Sequence, residues 1–434
     1  MQTLPSHNVA DTPGQKKKAG SKNYSAFAFI TEQSAIDAAF LWLQRSQVIK
    51  SGLHHSQDIK ELDGRIEANL DGLSAVGELG WQVCVQQLDY EEAGEVFTAA
   101  VVALRSRNTE RIKRVCDLAL TTPEMTQGLI SALGWVEADI AAFWIPRFLA
   151  VTDPNYRMLG LAACSVRRDD PGPYLAAILQ DPQTENYPAL HARALRLIGE
   201  LKRWELLPAL NAAMAAENAT VKFWANWSAV LLGDQAALVN LKPWVLDGSG
   251  LSEKAVQMAF SALPLSEARS WINEMVSQPE LTRRTISAIG VLGDPQAIPW
   301  LLQQMAEPQF MRIAGWAFSQ ITGIDLVASS LTINPPEDLQ TGPTDDPADD
   351  NVAMDPDEEL PWPDRQKITS LWQAQQSRWQ PGQRYFQGRA VNPQVLAHSL
   401  ASTNQRQQEL AALQRAVFDK PAVLVAFKAP QHNA

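Results

Sequence analysis

Ser287-Ala288-Ile289-Gly290-Val291-Leu292-Gly293-Asp294-Pro295-Gln296-Ala297-Ile298-Pro299-Trp300-Leu301-Leu302 is the stretch whose reading decides the fold. It reads as the end of one helix, a tight Gly-Asp-Pro turn, and a second amphipathic helix. Asp294 suits the cap of that second helix, where a side-chain oxygen accepts from free amides, and Pro295 suits its first position, where no amide donor is needed. The pattern recurs upstream. Ala194-Leu195-Arg196-Leu197-Ile198-Gly199-Glu200-Leu201 precedes Leu206-Leu207-Pro208-Ala209-Leu210, Ser228-Ala229-Val230-Leu231-Leu232-Gly233-Asp234 precedes Ala237-Leu238, and Ser131-Ala132-Leu133-Gly134 repeats the same helix ending. On a template ending Ala-Leu-Gly-x-Leu-Gly-Asp, the first-glycine slot falls at Arg105, Gly134, Ser165, Gly199, Val230, Ser261, Gly290 and Gln320. The steps are about 30 residues, with one of about 34, which is a helical-repeat period.

A helix pair of this size cannot bury its apolar face alone, so neighbouring pairs must stack into a shared core. The expected fold is therefore all-α: a HEAT-like α-solenoid of about eight helix pairs, with an N-terminal helical cap and a small C-terminal helical module. The expected organisation is a disordered tail over 1–24, the cap over 25–92 and the repeat array over 93–333. An acidic, proline-rich linker over 334–363 and the C-terminal module over 364–434 follow. Within the cap, Ile59, Leu62, Ile66, Leu70, Leu73, Val76 and Leu79 step by three or four along one helical face. Positions 337–359 hold ten acidic residues and no basic ones, a composition that reads as a solvated spacer. In the module, 364–379 and 393–418 read as helices joined by Pro381-Gly382-Gln383-Arg384-Tyr385-Phe386-Gln387-Gly388-Arg389.

The chain has 434 residues, 46% hydrophobic and 20% charged, with a formal net charge of −11. That is a globular composition, and its sign opposes nucleic-acid binding, which needs a basic footprint. Cys84, Cys116 and Cys164 are odd in number, far apart and set among apolar neighbours. They read as small buried hydrophobes in a reducing compartment, not as a disulfide framework or zinc site. Lys16-Lys17-Lys18 is followed by no apolar run long enough for a signal peptide or membrane span, so a cytoplasmic location and no membrane partner are expected.

Two styles of resemblance add to this reading. The unit at 290–302 resembles the short HEAT repeats of the phycobilisome-lyase style, a likeness of repeat form and not of chemistry. Ala38-Ala39-Phe40-Leu41-Trp42-Leu43-Gln44-Arg45, Leu62-Asp63-Gly64-Arg65-Ile66-Glu67-Ala68-Asn69-Leu70-Asp71-Gly72-Leu73 and Gly80-Trp81 carry a second one. With Leu360-Pro361-Trp362-Pro363-Asp364, Pro381-Gly382-Gln383-Arg384-Tyr385 and Gly388-Arg389, they resemble an uncharacterised bacterial HEAT-repeat family often encoded near type VI secretion genes. The likeness covers roughly 30–430. It implies a protein partner in that apparatus, a secretion-system component or effector, and it supplies no catalytic residues.

Catalytic signatures are missing from the sequence: no glycine-rich phosphate loop, no GxSxG and no HExxH. His54-His55 are adjacent, so on a helix they diverge by about 100° and chelate poorly. Asp169-Asp170-Pro171 reads as the cap of a helix over 174–180. Neither metal nor cofactor is expected. Most of the fourteen tryptophans read as packing between stacked helices.

The second helix of each pair is expected to line the inner surface, its early exposed slot falling at Phe97, Thr126, Arg157, His191, Lys222, Glu253, Thr282 and Arg312. Arg193, Arg196, Lys254, Arg283 and Arg284 lie nearby, so basic residues recur along the strip in an acidic chain. Arg157, His191, Arg193, Arg196, Lys222, Arg283, Arg284 and Arg312 are thus candidate contacts for an acidic protein segment. An arginine in this slot also has a structural use, bonding to the neighbouring repeat. A third possibility is that the acidic linker folds back and occupies the strip. The leading expectation is a non-catalytic protein–protein scaffold. The competitors are an immunity-type inhibitor that sequesters a toxin, and an enzyme using polar residues such as Arg384, Tyr385 and Arg389.

Overall fold

The computed structural model describes residues 18–49, 56–336, 355–402, 404–427 and 429–430. Lys16-Lys17, His54-His55 and positions 337–354 of the acidic segment lie outside the described residues. The chain divides into two compact units, one within Met1–Leu43 and Gly64–Ala132, the other within Gln44–Asp63 and Leu133–Ala434. The protein is all-α; the described strand is one two-residue hairpin, β1 (Tyr385–Phe386) with β2 (Arg389–Ala390).

The first unit is built from α1 (Lys18–Val48), α2 (Ser56–Ala75), α3 (Glu78–Gln87), α4 (Ala93–Arg105), α5 (Thr109–Ala119) and α6 (Pro123–Trp135), of which α1, α2 and α6 also contribute residues to the second unit. Its core gathers Ile66, Leu70, Leu73, Val96, Phe97 and Leu104, all fully buried. Trp42 of α1 stacks on Phe97 with ring centroids 5.2 Å apart, and its indole N–H donates to Ser131 Oγ at 2.9 Å. Gly94 is where α4 meets α1: a Cβ there would stand 2.7 Å from the Ala39 carbonyl oxygen. Phe97, expected on an exposed strip, is instead completely buried, because its ring supplies this stacking surface.

The second unit continues with α7 (Ala138–Ala150), α8 (Pro154–Arg167), α9 (Pro173–Gln180), α10 (Pro188–Glu200), α11 (Leu207–Ala213), α12 (Ala219–Leu231), α13 (Gln235–Asn240), α14 (Lys242–Asp247), α15 (Ser252–Ala262), α16 (Leu265–Val276), α17 (Thr282–Leu292), α18 (Ile298–Gln304) and α19 (Pro308–Thr322). After the acidic segment come α20 (Arg365–Gln375), α21 (Pro393–Ser402) and α22 (Gln405–Phe418). Within this unit α7, α9, α11, α14, α16 and α18 each pack on the next helix of the series α8, α10, α12, α15, α17 and α19. The members of that series pack on one another in order. Glycine lets them approach. A Cβ on Gly199 would lie 2.7 Å from the Ser228 Cα, and one on Gly290 would lie 2.7 Å from the Trp316 ring. Local caps follow the sequence: Asp153, Asn218 and Asp234 accept backbone amides at the starts of α8, α12 and α13. Asp294 caps a short 3-10 turn that leads into α18. Asp170 does not cap α9. Gly172 holds that position with φ +60°, and the Asp170 carboxylate accepts the Gly172 amide at 2.8 Å and pairs with Arg203.

Residues 384–388 run across the C-terminal ends of three helices in the series. The Arg384 guanidinium donates to the carbonyls of Phe260, Ser261 and Leu263 beyond and within the end of α15. The Tyr385 amide donates to the Gly293 carbonyl at 2.8 Å, and the Gln387 and Gly388 amides donate to Gln320 and Ile321 at 2.9 and 3.0 Å. Helix C-termini leave unpaired carbonyls and a partial negative charge, so a cation and a row of amides are their natural complement. This gives Arg384 and Tyr385 a structural use; the Tyr385 hydroxyl itself accepts the Gln380 amide.

Candidate functional site

Arg283, near the start of α17, and Arg312, in the first turns of α19, meet the described end of the acidic segment. Arg283 forks onto Asp357, with Nη1 donating to Oδ2 at 2.9 Å and Nη2 to Oδ1. Arg312 pairs with Asp355 and donates from Nη1 to the Asp357 carbonyl at 2.8 Å. The Asp355 carboxylate accepts the Asp357 amide at 2.9 Å, closing a tight turn over Pro356 that presents both carboxylates to the two arginines. The Trp362 ring lies 4.4 Å from the Arg312 guanidinium, and the segment is tied down behind it by Ile333 N–H to the Trp362 carbonyl at 2.9 Å and Asp364 N–H to the Leu331 carbonyl at 2.7 Å. Arg312 and its partner Asp355 have side chains only 7% and 8% exposed, whereas Arg283 keeps 38% over an Asp357 that is 6% exposed. Arg312, expected to be exposed, is thus a buried anchor, and Arg283 is the open side of the pair. Arg406 of α22 adds a third cation facing Arg283, Asp357, Glu359 and Glu253; burial pulls its pKa down.

A second charged cluster forms where α8 and α10 end. Glu200 is completely buried. Its carboxylate accepts Arg196 Nε at 2.8 Å, Arg168 at 3.0 Å and the Ser165 hydroxyl. Burial alone would raise this carboxyl; Arg196 and Arg168, with Ser165 and Arg193, outweigh it and hold it below the usual range. Arg196 also lies 4.4 Å from the Trp224 ring. Arg193 has no ion-pair partner among the described residues; its Nη1 donates to Ser165 Oγ at 3.4 Å, and burial, then Arg196, push its pKa down to about 10. The C-terminal chain covers this place. Arg168 Nε donates to the Leu424 carbonyl at 2.6 Å, the Leu424 amide donates to the Glu200 carbonyl at 3.2 Å, and α22 packs on α12 and α15. Arg193 and Arg196 are therefore half-buried beside an anchored carboxylate, not ranged along an open strip.

The remaining basic candidates are dispersed. Arg157 pairs with Asp181 at 2.9 Å and donates to the Val151 carbonyl. Arg284 donates to the Val245 carbonyl at 3.0 Å. Lys222 is half-buried on α12, and His191 is half-buried with its pKa lowered by burial against the opposing charge of Glu185. The structure brings together Arg283 with Arg312, and Arg193 with Arg196. Glu200, Arg168 and Trp362 complete these clusters although none of them was a candidate contact; Trp362 stood only within the quoted Leu360-Pro361-Trp362-Pro363-Asp364 stretch. Only Glu200, four residues after Arg196 on one helix, had a local signal.

Ten of the fourteen tryptophans are buried and Trp204 alone is exposed, so they serve chiefly as packing. The cysteines are buried, and desolvation pushes the Cys84 and Cys164 thiols up to about 12, far from a reactive thiolate. Among the described residues no three His, Cys, Asp or Glu side chains are grouped to hold a metal ion, and no helix is long and apolar enough to cross a membrane. A half-open cavity of about 510 Å³ lies beside Arg384, Ser261, Leu265 and Phe418. Its one strongly polar wall, Arg384, is committed to helix-end carbonyls. No protein-family model, curated protein or solved structure matches this chain.

Proposed function

We propose that this protein is a non-catalytic scaffold that docks an acidic segment of a protein partner on basic side chains of α17 and α19. The observation that carries the reading is the seat itself: Arg283 forks onto the Asp357 carboxylate, and Arg312 holds the Asp355 carboxylate together with the Asp357 carbonyl. Bidentate arginine–carboxylate pairing of this kind is geometrically selective as well as charged. The ordered packing of α8, α10, α12, α15, α17 and α19 supports a HEAT-like solenoid, a fold class suited to presenting successive helix ends to an extended partner. The family resemblance points to a type VI secretion component or effector as that partner.

The test is capture of partners by tagged wild-type chain and by Arg283→Glu, from the native host at moderate salt. Arg283 is the right residue to reverse because it is the exposed member of its pair. Reversing Arg196 would put a second acid beside buried Glu200 and unfold what it is meant to probe. A stoichiometric partner retained by wild type and lost by Arg283→Glu supports the reading. A partner retained equally by both moves docking away from this seat. A captured active toxin, inhibited one to one, would make the protein an immunity factor.

A further inference from the structure

We infer that Asp355-Pro356-Asp357 is an internal copy of the partner's recognition motif, and that Arg283 and Arg312 form a seat for an Asp-x-Asp segment that this copy occupies in competition with the partner. The inference rests on the docking role proposed above and adds its ligand chemistry and its control. Three observations converge. The turn closed by Asp355 on the Asp357 amide sets two carboxylates at the spacing of the two guanidinium groups, so the seat reads a spacing and not merely a charge. Every polar contact that Arg283 and Arg312 make with 355–357 is to a carboxylate or a backbone carbonyl, groups that any acidic peptide can supply. Trp362 and the two backbone bonds at Ile333 and Asp364 anchor the chain just downstream and hold the turn over the seat.

A ligand tethered in its own chain acts at an effective concentration on the order of millimolar or above, so a free peptide of the same sequence meets a seat already filled. A partner prevails by adding contacts that the short copy lacks.

The experiment uses a fluorescein-labelled synthetic peptide of residues 351–362 and two full-length chains, wild type and Asp355→Asn/Asp357→Asn. Asparagine keeps the side-chain volume and its carbonyl acceptor while removing the charge. Fluorescence anisotropy should show the peptide binding the double variant at least about 100-fold more tightly than wild type, as removal of a tethered competitor requires. Adding Arg283→Gln to the double variant should abolish that binding, and a peptide with both aspartates replaced by asparagine should bind neither chain. Equal affinity for both chains, lost with Arg283→Gln, would overturn the self-competition while leaving the docking surface. No binding to either chain, with unchanged far-UV circular dichroism, would overturn the seat and the proposed function together. Should the double variant not fold, hydrogen exchange on wild type decides. Saturating peptide should speed exchange of the amides at 357 and 360, and unchanged rates would refute displacement.

Discussion

At the residue scale, two buried charges set the clearest expectations. Lys202 is 7% exposed, and its ammonium donates to the Leu231 carbonyl and, at 2.6 Å, to the Ala416 carbonyl. Those acceptors favour the charged form, yet burial wins and lowers the pKa to about 8, against an ordinary 10.5. Below pH 8 the folded chain carries a charge that it would hold more cheaply in water. Between pH 8 and 10.5 the folded state gives up that proton while the unfolded state keeps it, so stability rises with pH through this window. The stability of wild type relative to Lys202→Met should therefore improve by about 2–3 kcal/mol from pH 7.5 to 10, read from urea midpoints. Glu200 has the opposite character, a depressed carboxyl that must remain ionised beside Arg168 and Arg196. Glu200→Gln leaves two half-buried guanidinium groups without their acid and should cost about 3–5 kcal/mol at pH 7. The stabilising share of Glu200 is present above the unfolded carboxyl pKa and fades as pH falls through the folded one, so the gap between wild type and variant should narrow in acid. A gap that stayed constant with pH would mean that the carboxylate does not hold the cluster.

At the element scale, the repeating glycine slot can be tested as geometry. Alanine gains up to about 1 kcal/mol over glycine in an open helix. At Gly199 the added Cβ meets the Cα of Ser228, a backbone atom that cannot step aside, whereas at Gly290 it meets the edge of the Trp316 ring, which can turn. Gly199→Ala should thus destabilise by about 2–3 kcal/mol and Gly290→Ala by clearly less, with the order measured by chemical denaturation. If both were neutral, close helix approach would not be what the slot is for. The same slot shows what the sequence could and could not disclose. Gly, Asp and Pro act through their own backbone, so Gly293-Asp294-Pro295 announced a helix end and a cap that the structure contains. Where the slot holds Ser165 or Gln320, the side chain reaches another element, Glu200 in one case and Gln387 in the other, and nothing in a period of about 30 residues encodes that choice. Arg312 and Asp355 stand 43 positions apart, so their pairing is a property of the folded chain alone. The strip of basic residues was legible as composition. That its arginines divide between helix-end carbonyls, a buried glutamate and an acidic turn was not.

At the scale of the whole molecule, a formal net charge of −11 opposes the approach of any acidic partner, yet the proposed seat is cationic. The two influences act over different distances, and ionic strength separates them. At 0.01 M salt the screening length is about 30 Å, long enough for the total charge to repel an acidic peptide before it reaches Arg283. Near 0.15 M the length is about 8 Å, so distant charges are hidden while groups a few ångströms from the ligand still attract. Near 1 M it is about 3 Å, and an exposed guanidinium such as Arg283 loses most of its pull. The association rate of the 351–362 peptide with Asp355→Asn/Asp357→Asn should therefore rise from 0.01 M to about 0.15 M sodium chloride and fall again toward 1 M, as stopped-flow anisotropy would record. A rate that only falls with salt would mean that the local field of the seat already governs approach at long range, as for a protein whose charges are segregated. A rate indifferent to salt would mean that docking is apolar and that the arginines merely hold the acidic segment in place.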